Sequence, residues 1–213
     1  MSTGNADGYF EFFPVERIPD SLRLVLDTWP KVRKANRLEK EDSITERLAA
    51  AIKREKKARR SWFSIHFQVV PLDDQGAVRA RIDFKFLAGY DEDAYFAFEC
   101  KRLRIPRPKK PNKPYLNTSK YVNDEGMGRF ISGKYSSTQE HGAMIAYVMD
   151  GDAVAAKASV LDLIVASQKQ LRLESGDKWE PSSFLPDEQS ISQTRHILGK
   201  GRHFAIQHIF LPL

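Results

Sequence analysis

The sequence predicts an α/β domain whose core is a helix, a three-strand meander, a second helix and a fourth strand, with a helical extension before it and a helix and strand after it. Three observations predict it. Residues 77–87 alternate apolar and polar with a period of two, as a half-buried strand does; residues 42–57 repeat apolar positions at helical spacing; and Gly142–Met149 is an unbroken apolar run, as a strand covered on both faces requires. A chain of 213 residues suits one domain, and 41% hydrophobic against 29% charged residues is a composition that buries a core. The single cysteine, Cys100, excludes an intrachain disulfide and a cysteine-rich zinc site. No run approaches the roughly 18 apolar residues of a membrane span. Met1–Gly8 has no signal-peptide core, so a cytoplasmic location without membrane partners is expected.

Taken in order, residues 1–40 read as an extension containing a helix over 19–36, started by Pro19-Asp20 and interrupted near Pro30. The core, 41–149, opens with the helix of 42–57, where Ser43-Ile44-Thr45-Glu46 reads as a capping box and Ile44, Leu48, Ala51 and Ile52 share a face. Trp62–Val70 alternates as a strand and turns at residues 73–76 into the second strand, Ala77–Leu87. There Val78, Ala80, Ile82, Phe84 and Phe86 face one side, and Arg79, Arg81, Asp83 and Lys85 the other. A turn over Ala88–Asp93 leads to the third strand, Tyr95–Leu103, with Phe96, Phe98 and Cys100 opposed to Tyr95, Ala97, Glu99 and Lys101. Arg104–Lys120 is too rich in proline for regular structure, and a helix is expected over Asp124–Tyr135. After the strand of 142–149, the C-terminal part, 150–213, holds a helix over Ala153–Leu173 capped by Asp150-Gly151-Asp152, a polar turn-rich stretch over 174–201, and a strand over His203–Leu213.

The charge is focused. Residues 53–60 carry six basic groups and one acid, residues 101–120 carry eight and none, and the other 185 residues hold 20 basic and 27 acidic side chains. Basic charge gathered on two segments points to a polyanion, usually nucleic acid. For 53–60 a second reading stands equally: cations favoured at a helix C-terminus.

A hairpin between the second and third strands centred on residue 91 pairs residues whose numbers sum to 182, which sets Asp83 opposite Glu99 with Lys101 on the same face. Opposed carboxylates repel, and a divalent ion resolves the conflict. Mg²⁺ takes a few carboxylate oxygens and suits phosphodiester hydrolysis; Lys101 then orients the water or neutralises developing charge. The alternative is a surface ion network of Asp83 and Glu99 with Arg81, Lys85 and Lys101. Acid-x-Lys triplets also occur at Glu55-Lys56-Lys57 and Asp83-Phe84-Lys85, so Glu99-Cys100-Lys101 is singled out by its strand and its register.

On these residues, over about Glu41 to Met149, the chain resembles the PD-(D/E)xK nuclease superfamily, the restriction-endonuclease-like fold. The resemblance implies Mg²⁺ on Asp83, Glu99 and the backbone carbonyl of Cys100, with Mn²⁺ able to substitute, and an assisting Lys101. Ile82 stands where the family's proline precedes the aspartate. The family's first-helix glutamate falls on Glu41 or Glu46; Glu46 is accounted for by the capping box, so Glu41 is preferred.

The cations expected to grip phosphates are Arg104, Arg107, Lys109, Lys110, Lys113 and Lys120, joined by Arg129. In Gly126-Met127-Gly128-Arg129 the glycines either admit a phosphate to a helix N-terminus or allow close packing with Arg129 in a salt bridge. His66, His141, His196, His203 and His208 show no metal-ligand spacing, though His196 beside Arg195 is placed to touch a phosphate. The expected function is a Mg²⁺-dependent nuclease acting on DNA rather than RNA, as a homodimer or with a partner protein, in a restriction, repair or phage-defence setting that the resemblance implies. The alternatives are a nucleic-acid-binding subunit that has lost the chemistry, and an interaction subunit without nucleic acid.

Overall fold

The computed structural model describes residues 13–33, 36–55, 63–70, 81–88, 94–135, 139–174 and 176–213. Residues 56–60 of the first basic run, Trp62, the turn of 73–76, residues 77–80 of the second strand and the turn of 89–93 lie outside the described residues.

A seven-stranded mixed sheet in the order β1-β2-β3-β6-β9-β8-β7 is built from β1 (Phe63–Val69), β2 (Ile82–Ala88), β3 (Tyr95–Leu103), β6 (His141–Val148), β7 (Glu180–Pro181), β8 (Ile191–Ile197) and β9 (His203–Pro212). The first three strands are an antiparallel meander; β3, β6 and β9 run parallel; β8 and β7 return antiparallel. Helices cover both faces. On one, α1 (Ile18–Thr28) and α2 (Glu41–Arg54) bring Leu22, Val25, Ile44, Leu48 and Ile52 onto Phe84, Phe98, Cys100 and Ile145. On the other, α3 (Thr118–Val122), α4 (Met127–Ile131) and α5 (Ala153–Ala166) bring Tyr121, Phe130 and Val160 onto Ala97, Met144 and Ala146. Successive strand residues feed opposite layers, which is why β3 and β6 are buried almost throughout. Four phenylalanines weld the meander: Phe84 stacks on Phe98 at 4.5 Å, and Phe86 and Phe96 meet Phe98 edge-on at 5.3 and 4.9 Å. No helix among the described residues is long and apolar enough to cross a membrane.

Several expectations need correction. The helix of 42–57 starts at Glu41, so Ser43 and Glu46 are helical and no capping box forms; the acidic side chains of Glu41 and Asp42 sit instead in the first turn, where the helix dipole favours them. Arg104–Lys120 is regular after all. It forms a two-stranded ribbon, β4 (Ile105–Arg107) with β5 (Lys110–Tyr115), and then enters α3. Proline is tolerated because both strands of a lone ribbon are edge strands. The helix of 124–135 shrinks to α4, since Gly126 lets the chain double back on α3: a Cβ there would lie 2.0 Å from the Tyr121 carbonyl. Ile82 joins the second layer rather than that of Phe84, opposite Val69 and next to Gln68, whose φ is 49°. The last helix ends at Ala166, and the polar stretch of 174–201 contains the edge strand β7 and its neighbour β8. Consequently His196 is not in a loop near phosphates but fully buried.

Candidate active site

β2 stays paired with β1 as far as Ile82, whereas its ladder with β3 stops at Phe84–Phe98. Past that point the two strands part, and β3 presents backbone N–H groups that no strand among the described residues accepts from. Two carboxylates take them. The Cys100 N–H donates to Asp83 Oδ2 at 2.7 Å, and the Arg102 N–H donates to Glu41 Oε2 at 2.8 Å from the first turn of α2. The register sum of 182 is the observed one, but Asp83 turns its side chain to the β3 backbone rather than directly across to Glu99.

Lys101 sits between the acids. Its Nζ donates to Glu99 Oε1 at 2.5 Å, to the Cys100 carbonyl at 2.9 Å and to Glu41 Oε1 at 3.3 Å. From the opposite layer Arg129 Nη1 donates to Glu99 Oε1 and Oε2 at 2.9 and 3.1 Å, and the Tyr135 hydroxyl bonds Glu99 Oε2. Arg129 and Tyr135 also reach the Arg81 carbonyl, at 3.0 and 2.7 Å, and so tie the departing β2 strand to Glu99 on β3. The cluster thus joins three carboxylates to two cations inside the protein: Glu99 is wholly buried, and Asp83 and Lys101 nearly so.

Burial dominates the electrostatics. It pushes the Asp83 carboxyl up to about 7, reinforced by Glu99, against the pull of Lys101. It pushes Glu99 up as well, in spite of Lys101 and Arg129. Lys101 moves up because its acidic neighbours outweigh its own desolvation, so it is a fixed cation at neutral pH. The Cys100 thiol is core: burial raises it, and it lies 3.4 Å from the Tyr147 hydroxyl. Glu46 is exposed on α2 and takes no part.

Of the seven cations expected on phosphates, two are engaged in partly buried ion pairs and a third, Lys120, in an exposed one. Arg104 Nε donates to both oxygens of Asp150 at 3.0 and 2.9 Å, and its Nη2 reaches Asp152 at 3.2 Å. Lys120 pairs with Glu125 at 3.3 Å, and Arg129 is committed to Glu99. Arg107, Lys109, Lys110 and Lys113 are exposed on the ribbon. The glycines serve packing: Gly128 as well as Gly126 presses on backbone, with a Cβ at Gly128 only 2.9 Å from the Asn123 carbonyl. Tyr135 carried no signal in the sequence, because its contact with Glu99 depends on how α4 folds back beneath the sheet.

The donors suit a hard divalent cation in kind: Asp83, Glu99 and the Cys100 carbonyl are all oxygen, Asp83 Oδ1 accepts no hydrogen bond among the described residues, and one carboxylate exceeds the neighbouring cations. Among the described residues no three His, Cys, Asp or Glu side chains are grouped so that they could hold a metal ion by themselves, so an ion here would rest on at most two carboxylates, the Cys100 carbonyl and water. Two clefts, one lined by Phe13, Tyr95 and His141 and one by Glu140, Arg195 and His203, lie toward the other ends of these strands. No family model, curated protein or solved structure matches the chain.

Proposed function

We propose that this protein is a Mg²⁺-dependent nuclease of the restriction-endonuclease-like kind that hydrolyses DNA phosphodiester bonds, with Mn²⁺ able to substitute. The observation that carries the reading is the parting of β2 and β3, which sets Asp83, Glu99 and Lys101 around the backbone of Cys100 with Glu41 closing from α2. The succession α2, three-strand meander, α3–α4 and parallel β6 supports it too. Asp83, Glu99 and the Cys100 carbonyl would hold the ion, which when bound supplies charge neutralisation at the phosphate and a more acidic water. Lys101, a fixed cation, stabilises negative charge that builds on the phosphoryl oxygens rather than accepting a proton. Glu41 holds Lys101 and the Arg102 N–H, keeping the β3 end from closing onto β2.

A second reading, a nucleic-acid-binding subunit without chemistry, is favoured by one observation: both Glu99 oxygens already accept from Lys101, Arg129 and Tyr135. The test is incubation of purified protein with circular DNA, linear DNA and RNA in Mg²⁺, Mn²⁺ or EDTA. DNA cleavage that requires metal and falls at least about 100-fold in Asp83→Ala, Glu99→Ala and Lys101→Ala, each shown folded by circular dichroism, is expected. A triple variant cutting at the wild-type rate removes the reading, and binding without cutting selects the second one.

A further inference from the structure

We infer that the β4–β5 ribbon is a duplex-DNA arm that lies in the major groove and holds phosphates through Arg107, Lys109, Lys110 and Lys113. The inference rests on the nucleic-acid reading above and names the form of the substrate.

The ribbon is a built element. After Leu103 the chain leaves the sheet at Arg104, whose φ is 52°, and the three contacts of its guanidinium with Asp150 and Asp152 hold that turn. Asn117 Nδ2 donates to the Arg102 carbonyl at 2.8 Å and the Arg104 N–H to the Leu116 carbonyl at 3.2 Å, closing the base of the ribbon beside Lys101. Arg104 is therefore a strut, and removing its side chain would loosen the whole arm.

Three features select the partner. Arg107 and Lys110 are direct cross-strand partners, and like charges so placed destabilise a ladder unless an anion lies against them. Lys109 and Lys113 add charge at the turn and along β5, and residues 104–120 contain no acid. The shape fits a duplex: a strand of six residues is about 20 Å long, and the B-DNA major groove, about 12 Å wide, admits a two-stranded ribbon, whereas the deep, narrow major groove of duplex RNA does not. Single strands are held largely by stacking on aromatic faces. The ribbon's one aromatic, Tyr115, has its ring faced by the Arg107 guanidinium at 5.6 Å, so the arm presents mainly cations.

The experiment measures binding in EDTA, where a metal-dependent nuclease does not cut. A short fluorescent DNA duplex, the same sequence as a single strand, and the matching RNA duplex are titrated with wild type and with Arg107→Ala/Lys109→Ala/Lys110→Ala/Lys113→Ala over a salt series. Wild type should prefer the DNA duplex by at least tenfold. The quadruple variant should flatten the log–log salt dependence by about 3 to 4, at about 0.9 for each phosphate no longer neutralised. Lys109→Ala/Lys113→Ala, both at exposed positions, should flatten it by about 2 if the quadruple variant does not fold. The basic run of 53–60 is common to all these proteins and cancels. An unchanged slope, equal or tighter binding of single strands or RNA duplex, or no binding at all overturns the inference. Ribbon-dependent duplex binding without cleavage in Mg²⁺ leaves the arm standing and removes the nuclease; cleavage with an unchanged slope does the reverse.

Discussion

The acidic cluster where β2 and β3 part, partly open to solvent at Glu41 and Arg129, and the fully buried histidine network between β8, β9 and α3 both hold buried titratable groups, yet their protons are arranged differently. In the network every proton has one place: the Tyr121 hydroxyl donates to His208 Nδ1 at 3.0 Å, His208 Nε2–H to Thr194 Oγ1 at 2.9 Å, the Thr194 hydroxyl to His196 Nε2 at 2.8 Å, and His196 Nδ1–H to the Leu171 carbonyl at 2.8 Å. This assignment needs both imidazoles neutral. In the acidic cluster no such assignment closes with all acids ionised, because the single Tyr135 proton faces two acceptors, the Arg81 carbonyl and Glu99 Oε2. One region is complete without a ligand; the other carries a surplus of negative charge that a proton or a cation would relieve.

The largest expected effect of that difference is on acid stability. Burial lowers His196 to about 4 and His208 further below its ordinary value, so the unfolded chain takes up protons first as the pH falls. Stability is then lost between about pH 6.5 and 4, by about 3 kcal/mol from His196 and more with His208. Urea unfolding across that window, in EDTA, should follow this fall. A level profile would mean that the network accepts protons without opening.

Asp83 works in the opposite direction over an overlapping range. With its carboxyl raised to about 7, the folded state binds the proton that the unfolded chain releases near 4, so this group adds stability as the pH falls and withdraws it as the pH rises through 7. Asp83→Asn keeps an oxygen for the Cys100 N–H and removes the charge. It should stabilise the metal-free protein by about 1–3 kcal/mol at pH 8, an advantage that vanishes toward pH 4, leaving the histidine loss unopposed. Equal stability at pH 8 would place the surplus charge elsewhere in the cluster.

Part of this contrast was legible in the sequence. The hairpin sum of 182 and the unbroken alternation of Tyr95–Lys101 set the β2–β3 register and faced Glu99 and Lys101 away from Cys100, and the position of Glu41 one turn before Ile44 pointed it inward. Two partners of Glu99 were hidden, because Arg129 and Tyr135 reach it only after the chain reverses at Gly126, a close approach that spacing does not encode. β8 was hidden for a different reason. Ser192, Gln193, Thr194 and His196 fall in the stretch that reads as polar and turn-rich, yet they are buried, with Gln193, Thr194 and His196 satisfied by one another, by β9, by Glu180 and by the Leu171 carbonyl. Composition reports exposure only when polar groups have no internal partners.

The smallest expected effect comes from the hydroxyl that the two strands share. Tyr135→Phe keeps the ring, which meets Phe130 edge-on at 5.1 Å, and deletes only the O–H. The Arg81 carbonyl still accepts from Arg129 at 3.0 Å, and Glu99 still accepts from Arg129 and Lys101, so no acceptor is stranded. The cost should therefore stay near 1 kcal/mol, the net worth of an ordinary hydrogen bond rather than of an unpaired buried group. Amide hydrogen exchange at Cys100 adds a local reading, since its N–H rests on Asp83 across the parting strands. Unchanged protection with a small loss in urea unfolding means that Arg129 alone spans the gap between Arg81 and Glu99. A loss above about 3 kcal/mol, with faster exchange at Cys100, would make the phenol the tie that fixes the separation of β2 and β3, and the acidic cluster would then be as closely specified as the histidine network it is contrasted with.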